Sequence, residues 1–275
     1  MFQTTSQDAD THNNSLNMNC LIRKVKTFHS KSMTSKKAIQ NFFESPQLRH
    51  RNLFTTHNMP FYLPRKASHD RHKKVLVLDL DNTLVCSNSM SFNDEHQKTI
   101  NITLPHEQAK TIYFITRPFL DEFFKSTCEL YEIVIFTASL EQYAKPLIDT
   151  IDTQKVCVHR LYRDKCTAVD GCYVKDLKLL GRELKDVVII DDSAHSFSLN
   201  KHNGIAIKSF QGERNDNELQ KLVPLLKYLY TQNDVTEVIK LITTSNGEID
   251  NVKLNALINE CNNSYEAFTA TDSTH

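Results

Sequence analysis

Polar side chains that can do chemistry come directly after three apolar runs of this chain. The first run is followed by residues 79–83 (DLDNT), the second by 137–139 (TAS), and the third by 191–193 (DDS). Because ligands of open α/β sheets bind beyond the carboxyl ends of the strands, the three clusters are expected to line one crevice. Acids and Thr are also common in helix caps and turns, which would explain any one cluster but poorly explains all three.

The clusters bring four carboxylates, those of Asp79, Asp81, Asp191 and Asp192, toward one edge. Crowded carboxylates repel each other unless a cation neutralises them, and hard oxygen ligands without a His cluster favour Mg²⁺ over zinc or copper. One carboxylate can then attack phosphorus, while a second, two residues on, protonates the leaving oxygen and later activates water. A hydroxyl and a Lys would balance charge on the transferring group. The pattern predicts Mg²⁺-dependent phosphoryl transfer.

The elements that must position these residues follow from the apolar pattern. Continuous apolar runs predict buried parallel strands at 75–79, 133–136, 187–190 and 205–207. Helices are expected at 118–128, 140–151, 218–230 and 235–242. Short strands at 100–104 and 111–115, joined through residues 105–107, predict a hairpin inserted after the first strand. Strands alternating with helices indicate an α/β fold with a mostly parallel central sheet.

Composition excludes several other classes of protein. The chain of 275 residues has only 5 glycines and no glycine cluster, so neither a Walker loop nor a dinucleotide-binding turn is expected. Its 7 cysteines are scattered, which fits a reducing interior with packing thiols better than a disulfide framework, although spacing alone leaves a catalytic Cys open. The polar start and the lack of any run of 18 apolar residues predict neither a signal peptide nor a membrane span.

Charge and the pattern of apolar residues together divide the chain into three predicted regions. Residues 1–74 hold 13 Lys and Arg against 4 Asp and Glu, whereas the rest holds 20 against 29. We therefore predict a basic, largely disordered arm over 1–70, a catalytic domain over 71–232, and a helical extension with a loose tail over 233–275. The arm could guide the protein to nucleic acid, import machinery or an acidic partner. Solvated disorder is the simpler interpretation, and no direct nucleic-acid binding is expected.

Several segments in order resemble one known family. They are residues 79–85 (DLDNTLV), 136–140 (FTASL), 161–163 (LYR), 173–177 (YVKDL) with 180–182 (LGR), and 190–193 (IDDS). The first resembles the opening motif of the haloacid-dehalogenase (HAD) superfamily. The whole series is similar to the small phosphatases and FCP-type phosphatases that act on the RNA polymerase II C-terminal domain. The resemblance covers roughly residues 74–230. It implies a Rossmann-like parallel sheet flanked by helices, with a small β-hairpin insertion and no large cap domain.

The resemblance also implies roles for individual residues. Asp79 would be the nucleophile and a Mg²⁺ ligand. Asp81 would be the general acid and base, with its backbone carbonyl on the metal. Thr137 and Lys175 would hold the phosphoryl oxygens, and Lys175 would also restrain the charge on Asp79.

The fourth motif departs from the pattern of the family, which often has Asp-Asn where this chain has Asp191-Asp192. Asp192 would be the metal ligand, with Asp191 supporting it or the metal waters. The extra negative charge should tighten Mg²⁺ binding or raise a neighbouring pKa. Asn82 stands where many relatives carry Glu, and little effect is expected there.

Substrate contacts implied by the resemblance involve Arg163, Tyr143 and Leu140. A guanidinium at Arg163 suits phosphate recognition, with an ordinary surface ion pair as the alternative. Leu140 and Tyr143 lie one helical turn apart and would line an apolar pocket beside the phosphoserine, although core packing is the alternative for Leu140. Arg117, before Pro118, is expected to anchor a helix end rather than bind substrate.

The function expected from these observations is a Mg²⁺-dependent protein serine/threonine phosphatase with an aspartyl-phosphate intermediate. Its partner would be a phosphorylated protein, with the RNA polymerase II C-terminal domain as a candidate. Two alternatives stay open: a catalytically silent phosphopeptide-binding scaffold, and a phosphatase of a small metabolite or lipid. The location is expected to be nuclear or cytoplasmic, with the nucleus favoured by family analogy.

Overall fold

The computed structural model describes residues 61–103 and 109–257 of the chain. Its strands are, in chain order, β1 (Lys74–Leu78), β2 (Val85–Asn88), β3 (Lys98–Ile102), β4 (Lys110–Thr116), β5 (Tyr131–Phe136), β6 (Cys157–Leu161), β7 (Thr167–Val169), β8 (Cys172–Val174), β9 (Val187–Asp191) and β10 (Gly204–Ala206). Its α-helices include α1 (Leu120–Thr127), α2 (Glu141–Ile151), α3 (Glu218–Thr231) and α4 (Val235–Ile242). Short 3₁₀ segments lie at Ser68–Asp70, Arg163–Lys165, Leu177–Leu180, Leu184–Asp186 and Ala194–Asn203.

A parallel sheet of five strands, in the order β10-β9-β1-β5-β6, forms the centre of the described fold. Every residue of β1, β5 and β9 is buried. On one face, side chains such as Val77 and Ile189 pack against Leu177, Leu180 and Phe197. On the other face, the Tyr131 hydroxyl donates to the Leu226 carbonyl of α3 at 2.6 Å. Coverage on both faces explains why these strands are continuous apolar runs rather than alternating ones. The predicted α/β fold with a parallel central sheet is therefore confirmed.

The register of the sheet determines which residues meet at its carboxyl edge. Leu78, the last residue of β1, lies opposite Ile135 of β5 and Ile190 of β9. The next residue, Asp79, donates its backbone N–H to the Ile190 carbonyl at 3.0 Å. Asp79 therefore leaves the sheet beside Asp191 and one position from Thr137, so the topology brings the three polar clusters of the sequence together.

The insertion after the first strand is larger than the predicted hairpin. β2, β4 and β3 form a three-stranded antiparallel sheet in that order, because residues 85–88 pair with β4 and add a strand. The predicted connection at 105–107 lies outside the described residues. The first helix also starts later than predicted, at Leu120 instead of 118, since Phe119 has a left-handed backbone with φ of 63°.

Packing on the sheet extends beyond the predicted domain boundaries at both ends. Leu63 is buried, and the backbone N–H of Tyr62 donates to the Leu179 carbonyl at 2.8 Å, so the described body begins before residue 71. After α4, the chain returns to the free edge of β10, where the Ala206 N–H donates to the Gly247 carbonyl at 2.7 Å. Most of the predicted arm and tail lies outside the described residues. Within residues 61–103 and 109–257, no helix combines the length and apolar character that crossing a bilayer requires.

Candidate active site

A buried ion pair joins the first and third polar clusters. Asp79, directly after β1, is buried, and Lys175, directly after β8, has a side chain only 1% exposed. The Lys175 ammonium lies 2.5 Å from Asp79 Oδ1 and 2.6 Å from Asp191 Oδ2. One cation therefore serves two carboxylates. The position of Lys175 is fixed by its own backbone N–H, which donates to the Ser196 carbonyl at 2.7 Å.

Thr83 links the Asp79 carboxylate to the backbone of Asp192 through its hydroxyl. Its Oγ1 donates to Asp79 Oδ2 at 3.1 Å and accepts from the backbone N–H of Asp192 at 3.1 Å. The sequence places Thr83 at the end of the first motif, but no role was predicted for it. The only sequence signal for a role of Thr83 was its position four residues after Asp79, because its other partner, Asp192, is 109 residues away.

The carboxylates of Asp79, Asp191 and Asp192 form a group whose oxygens come within 4.8 Å of one another. Hard, clustered carboxylate oxygens are a donor set that suits Mg²⁺. Asp191, predicted to support the metal rather than bind it, has its oxygens engaged by Lys175 and by the Ser193 N–H at 2.9 Å. The predicted ligands Asp79 and Asp192 thus lie together, and Lys175 contacts both Asp79 and Asp191.

The electrostatics of this group show an excess of negative charge. Burial raises the pKa of Asp79 to about 8, with Asp191 and Asp192 adding to the effect and Lys175 opposing it. Burial, followed by the charge of Asp191, raises the pKa of Asp192 to about 6. Burial opposes the charge on Lys175, but the two neighbouring carboxylates outweigh it, and its pKa is raised. The arrangement can therefore accept a further cation.

Asp81 belongs to a separate hydrogen-bond network. Its Oδ2 accepts from the Ser139 hydroxyl at 2.6 Å, and its Oδ1 accepts from the Tyr143 hydroxyl at 2.5 Å. Tyr143 Oη lies a further 2.6 Å from Ser87 Oγ. Both oxygens of the Asp81 carboxylate thus accept hydrogen bonds from hydroxyl groups, and this carboxylate is not one of the three in the acidic group. Sequence reasoning did not identify Ser87, and it placed Tyr143 in an apolar substrate pocket.

Thr137 and Arg163 meet at the turn after β5. Thr137 is 1% exposed, and its Oγ1 accepts from the Ser139 N–H at 3.0 Å. The buried Arg163 donates from Nε to the Ala138 carbonyl at 2.6 Å, and its guanidinium lies 5.1 Å from the centre of the Tyr173 ring. Burial lowers the pKa of Arg163. The predicted substrate residue Arg163 is therefore hydrogen-bonded to the turn that contains Thr137, and it forms no salt bridge with any of the described residues.

The remaining predicted substrate residues lie at the start of α2. Leu140 is half-buried and immediately precedes the helix, whereas Tyr143 is buried one turn later. The structure therefore brings Tyr143 to Asp81 and leaves Leu140 partly accessible at the helix start.

Fold and site together define an α/β protein with an acidic, lysine-paired centre suited to phosphoryl transfer. A family model described as NLI interacting factor-like phosphatase matches residues 74–236. The chain belongs to this family of phosphatases. The predicted resemblance to phosphatases of the FCP type is thereby confirmed.

Named relatives share this region of the chain. A CTD small phosphatase-like protein 2 of Dictyostelium discoideum is 43% identical, covering 68% of this chain and 32% of that protein. A probable C-terminal domain small phosphatase of the same organism is 42% identical, covering 60% of this chain and 54% of that protein. A solved structure of Fcp1, an essential RNA polymerase II CTD phosphatase, aligns with 20% identity and a TM-score of 0.45, covering 63% of this chain and 55% of that one. The chain matches about half the length, or less, of these two curated relatives.

Proposed function

We propose that this protein is a Mg²⁺-dependent phosphatase that removes phosphate from serine or threonine of proteins through a phosphorylated Asp79. The observation that carries the proposal is the placement of Asp79 at the carboxyl end of β1. There its carboxylate lies 2.5 Å from the Lys175 ammonium and accepts a hydrogen bond from the Thr83 hydroxyl. It also forms a group with the carboxylates of Asp191 and Asp192. Burial, a shared Lys and adjacent acids are the conditions under which a carboxylate is prepared for chemistry.

In the first half-reaction, an Asp79 carboxylate oxygen attacks phosphorus, a new O–P bond forms, and the P–O bond to the substrate side chain breaks. Asp81 gives its proton to the leaving oxygen. In the second half-reaction, Asp81 takes a proton from water, the water oxygen attacks phosphorus, and inorganic phosphate leaves with Asp79 restored. The Tyr143 and Ser139 hydroxyls, both bonded to Asp81, hold this carboxyl in place for both transfers.

Charge on the transferring group is balanced by residues of the chain. The Lys175 ammonium and the Thr137 hydroxyl, at the same edge of the sheet, would hold the phosphoryl oxygens. Asp79 and Asp192, with the backbone carbonyl of Asp81, would hold Mg²⁺, which when bound lowers the pKa of Asp79 and neutralises phosphoryl charge.

A protein substrate is favoured over a small metabolite by the size of the insertions. Between Thr83 and β5, the described residues form the small β2-β4-β3 sheet and α1, and the β7-β8 hairpin has three residues in each strand. The relatives named as C-terminal domain phosphatases support a phosphorylated protein, with the RNA polymerase II C-terminal domain as a candidate. That substrate would place the protein in the nucleus.

The test is hydrolysis of a phosphoserine peptide by the full chain, with Mg²⁺ and with EDTA. Asp79→Asn should lower the rate at least ~1,000-fold, because no carboxylate remains to be phosphorylated. Asp149→Asn, the same change at an exposed site on α2, is the control and should keep the rate. Acid-quenched wild-type protein should retain radiolabel from phosphorylated substrate, and Asp79→Asn should not.

A wild-type rate no higher than that of Asp79→Asn would overturn the proposal. Tight phosphopeptide binding without phosphate release would then favour the scaffold. If a small phosphate ester from a panel of such compounds is hydrolysed faster than the peptide, the substrate is instead a metabolite or a lipid headgroup.

A further inference from the structure

Arg117, at the end of β4, has the largest of the fully buried side chains among the described residues. Its Nε and Nη2 donate to the two carboxylate oxygens of Asp216, each at 2.8 Å. Both side chains are 2% exposed or less. The charge of the guanidinium is therefore matched locally by Asp216, and Arg117 supplies no unpaired positive charge to the acidic centre.

The other donors of Arg117 bind two backbone carbonyls on different loops. Nη1 donates to the Thr83 carbonyl at 3.0 Å, and Nη2 donates to the Lys208 carbonyl at 2.7 Å. These bonds go to the loops after β1 and β10, whereas the sequence predicted that Arg117 would anchor a helix end. Phe210 joins the same two loops, because its N–H donates to the Asn82 carbonyl at 2.7 Å and its ring lies 5.4 Å from the guanidinium.

Each of the two loops carries a side chain that contacts the acidic centre. The Thr83 hydroxyl bridges Asp79 and the backbone of Asp192. Ser209, directly after Lys208, hydrogen-bonds to the Asp192 carboxylate through its side chain. The Arg117 guanidinium is thus hydrogen-bonded to both loops, the one after β1 and the one after β10, whose side chains contact Asp79 and Asp192.

We propose that Arg117, held by Asp216, is a positioning residue that sets the separation of the Asp79 and Asp192 carboxylates for a divalent cation. The planar guanidinium reaches Asp216 and both carbonyls at once, which an ammonium cannot do. This inference rests on the proposed function only for the presence of the cation.

The test is a titration of the full chain with Mn²⁺, in which electron paramagnetic resonance measures the concentration of free Mn²⁺. Arg117→Lys keeps the charge but cannot hold both carbonyls and Asp216, so the Mn²⁺ dissociation constant should rise by about 10- to 100-fold, the range typical of partners that orient metal ligands. Phosphopeptide hydrolysis should fall at limiting Mg²⁺ and largely recover at saturating Mg²⁺.

Arg182→Lys is the matched control. Arg182 also binds one buried carboxylate with two donors, Nε to Glu132 Oε2 at 2.9 Å and Nη2 to Glu132 Oε1 at 2.7 Å. It lies near the start of β5, away from the acidic centre, so this variant should lose stability while its Mn²⁺ affinity stays within twofold of wild type.

Asp216→Asn decides the matter if Arg117→Lys does not fold, because it preserves side-chain volume and weakens the anchor of Arg117. The amide oxygen of Asn can still accept from the backbone N–H of Glu218 at the start of α3, as Asp216 Oδ1 does at 3.1 Å. Mn²⁺ affinities within twofold of wild type in every folded variant at these two positions would overturn the inference, as would a wild-type chain that binds no Mn²⁺. A wild type that binds Mn²⁺ but does not hydrolyse the peptide would overturn the proposed function, while weaker Mn²⁺ binding in the variants would still support the positioning role.

Discussion

Two clusters of buried charge lie at opposite ends of the central sheet, and they balance their charges differently. At the carboxyl ends of the strands, three carboxylates form one group, and the ammonium of Lys175 contacts two of them, those of Asp79 and Asp191. Near the amino end of β5, the single carboxylate of Glu132 is bonded by Arg182 at 2.7 Å and His159 at 3.0 Å, with Lys66 at 3.8 Å. The first cluster has fewer basic side chains than carboxylates, whereas the second has three basic side chains around one carboxylate.

The pKa values express the same difference. Burial raises the pKa of Asp79 to about 8 in the first cluster. In the second, burial alone would raise the pKa of Glu132, but hydrogen bonds from His159 and Arg182 outweigh it and lower the pKa to about 2.

The second cluster is complete as it stands and serves to hold elements together. Arg182 also donates to the Pro64 carbonyl at 2.8 Å, which fastens the segment before β1 to the body. The first cluster keeps an excess of negative charge that an added cation would neutralise. The comparison teaches that charge deficit, rather than burial of charge as such, distinguishes a candidate site from an element of the fold.

Of the changes that compare the two clusters, the largest effect should come from removing Lys175, the one basic residue in the described part of the chain that contacts the acidic cluster. Lys175→Met should lower phosphopeptide hydrolysis by roughly 100- to 1,000-fold, because the donor beside the phosphoryl group is lost. It should also lower the stability measured in EDTA, since the carboxylates of Asp79 and Asp191 lose their shared partner. Lys178→Met, the same change at an exposed position, is the control. A rate for Lys175→Met within tenfold of wild type would contradict this account of the cluster.

A smaller effect, on stability alone, is expected at the other end of the sheet. Glu132→Gln removes the carboxylate that three basic side chains share, and breaking such a buried pair should cost about 3 kcal/mol at pH 7 while the hydrolysis rate is retained. The pKa of Glu132 is lowered from 4.5 to about 2 on folding. Its ionisation therefore stabilises the fold fully above pH 4.5 and ceases to do so as the pH falls toward 2.

Urea unfolding of both proteins between pH 7 and pH 3 measures this contribution. The difference in unfolding free energy between wild type and Glu132→Gln should shrink as the pH falls below 4.5. A difference independent of pH, or a folded variant without activity, would contradict the structural assignment of this cluster.

The sequence predicted the central sheet well because both faces of its inner strands are covered. Continuous apolar runs located β1, β5 and β9, and the polar residues after them located Asp79, Thr137 and Asp191. β6 was not predicted, since its edge position allows His159 and Arg160 within the strand. The start of β5 was placed at residue 133 instead of 131, because a charged Glu132 does not look buried until its partner Arg182, 50 residues away, is known.

The same limit applies to the candidate site. Asp79 and Lys175 were identified through motifs, whereas the roles of Thr83 and Arg117 depend on contacts made in the folded chain. Arg117 meets Asp216 across 99 residues, and no local pattern connects them. Residues that carry chemistry follow strand ends and can be read from the sequence, but residues that orient them are recognised only once the loops are brought together.

The smallest effect, and the sharpest contrast between the clusters, should come from adding Mg²⁺ to the folded protein. A ligand that binds only the folded state stabilises it by about 2.7 kcal/mol at 100 times its dissociation constant, which for a domain of this size raises the melting temperature by roughly 5–10 °C. Asp192→Asn should abolish the rise in melting temperature. Glu132→Gln should have a lower melting temperature without Mg²⁺ but should show the same rise as wild type when Mg²⁺ is added. Because protons compete with the cation for carboxylates whose pKa values are raised to about 6 at Asp192 and about 8 at Asp79, the rise should be larger at pH 8 than at pH 6. Differential scanning calorimetry with Mg²⁺ or EDTA measures all three proteins. An equal rise in wild type and Asp192→Asn would mean that the cation binds elsewhere and that the acidic cluster, like the one around Glu132, is balanced by the chain alone.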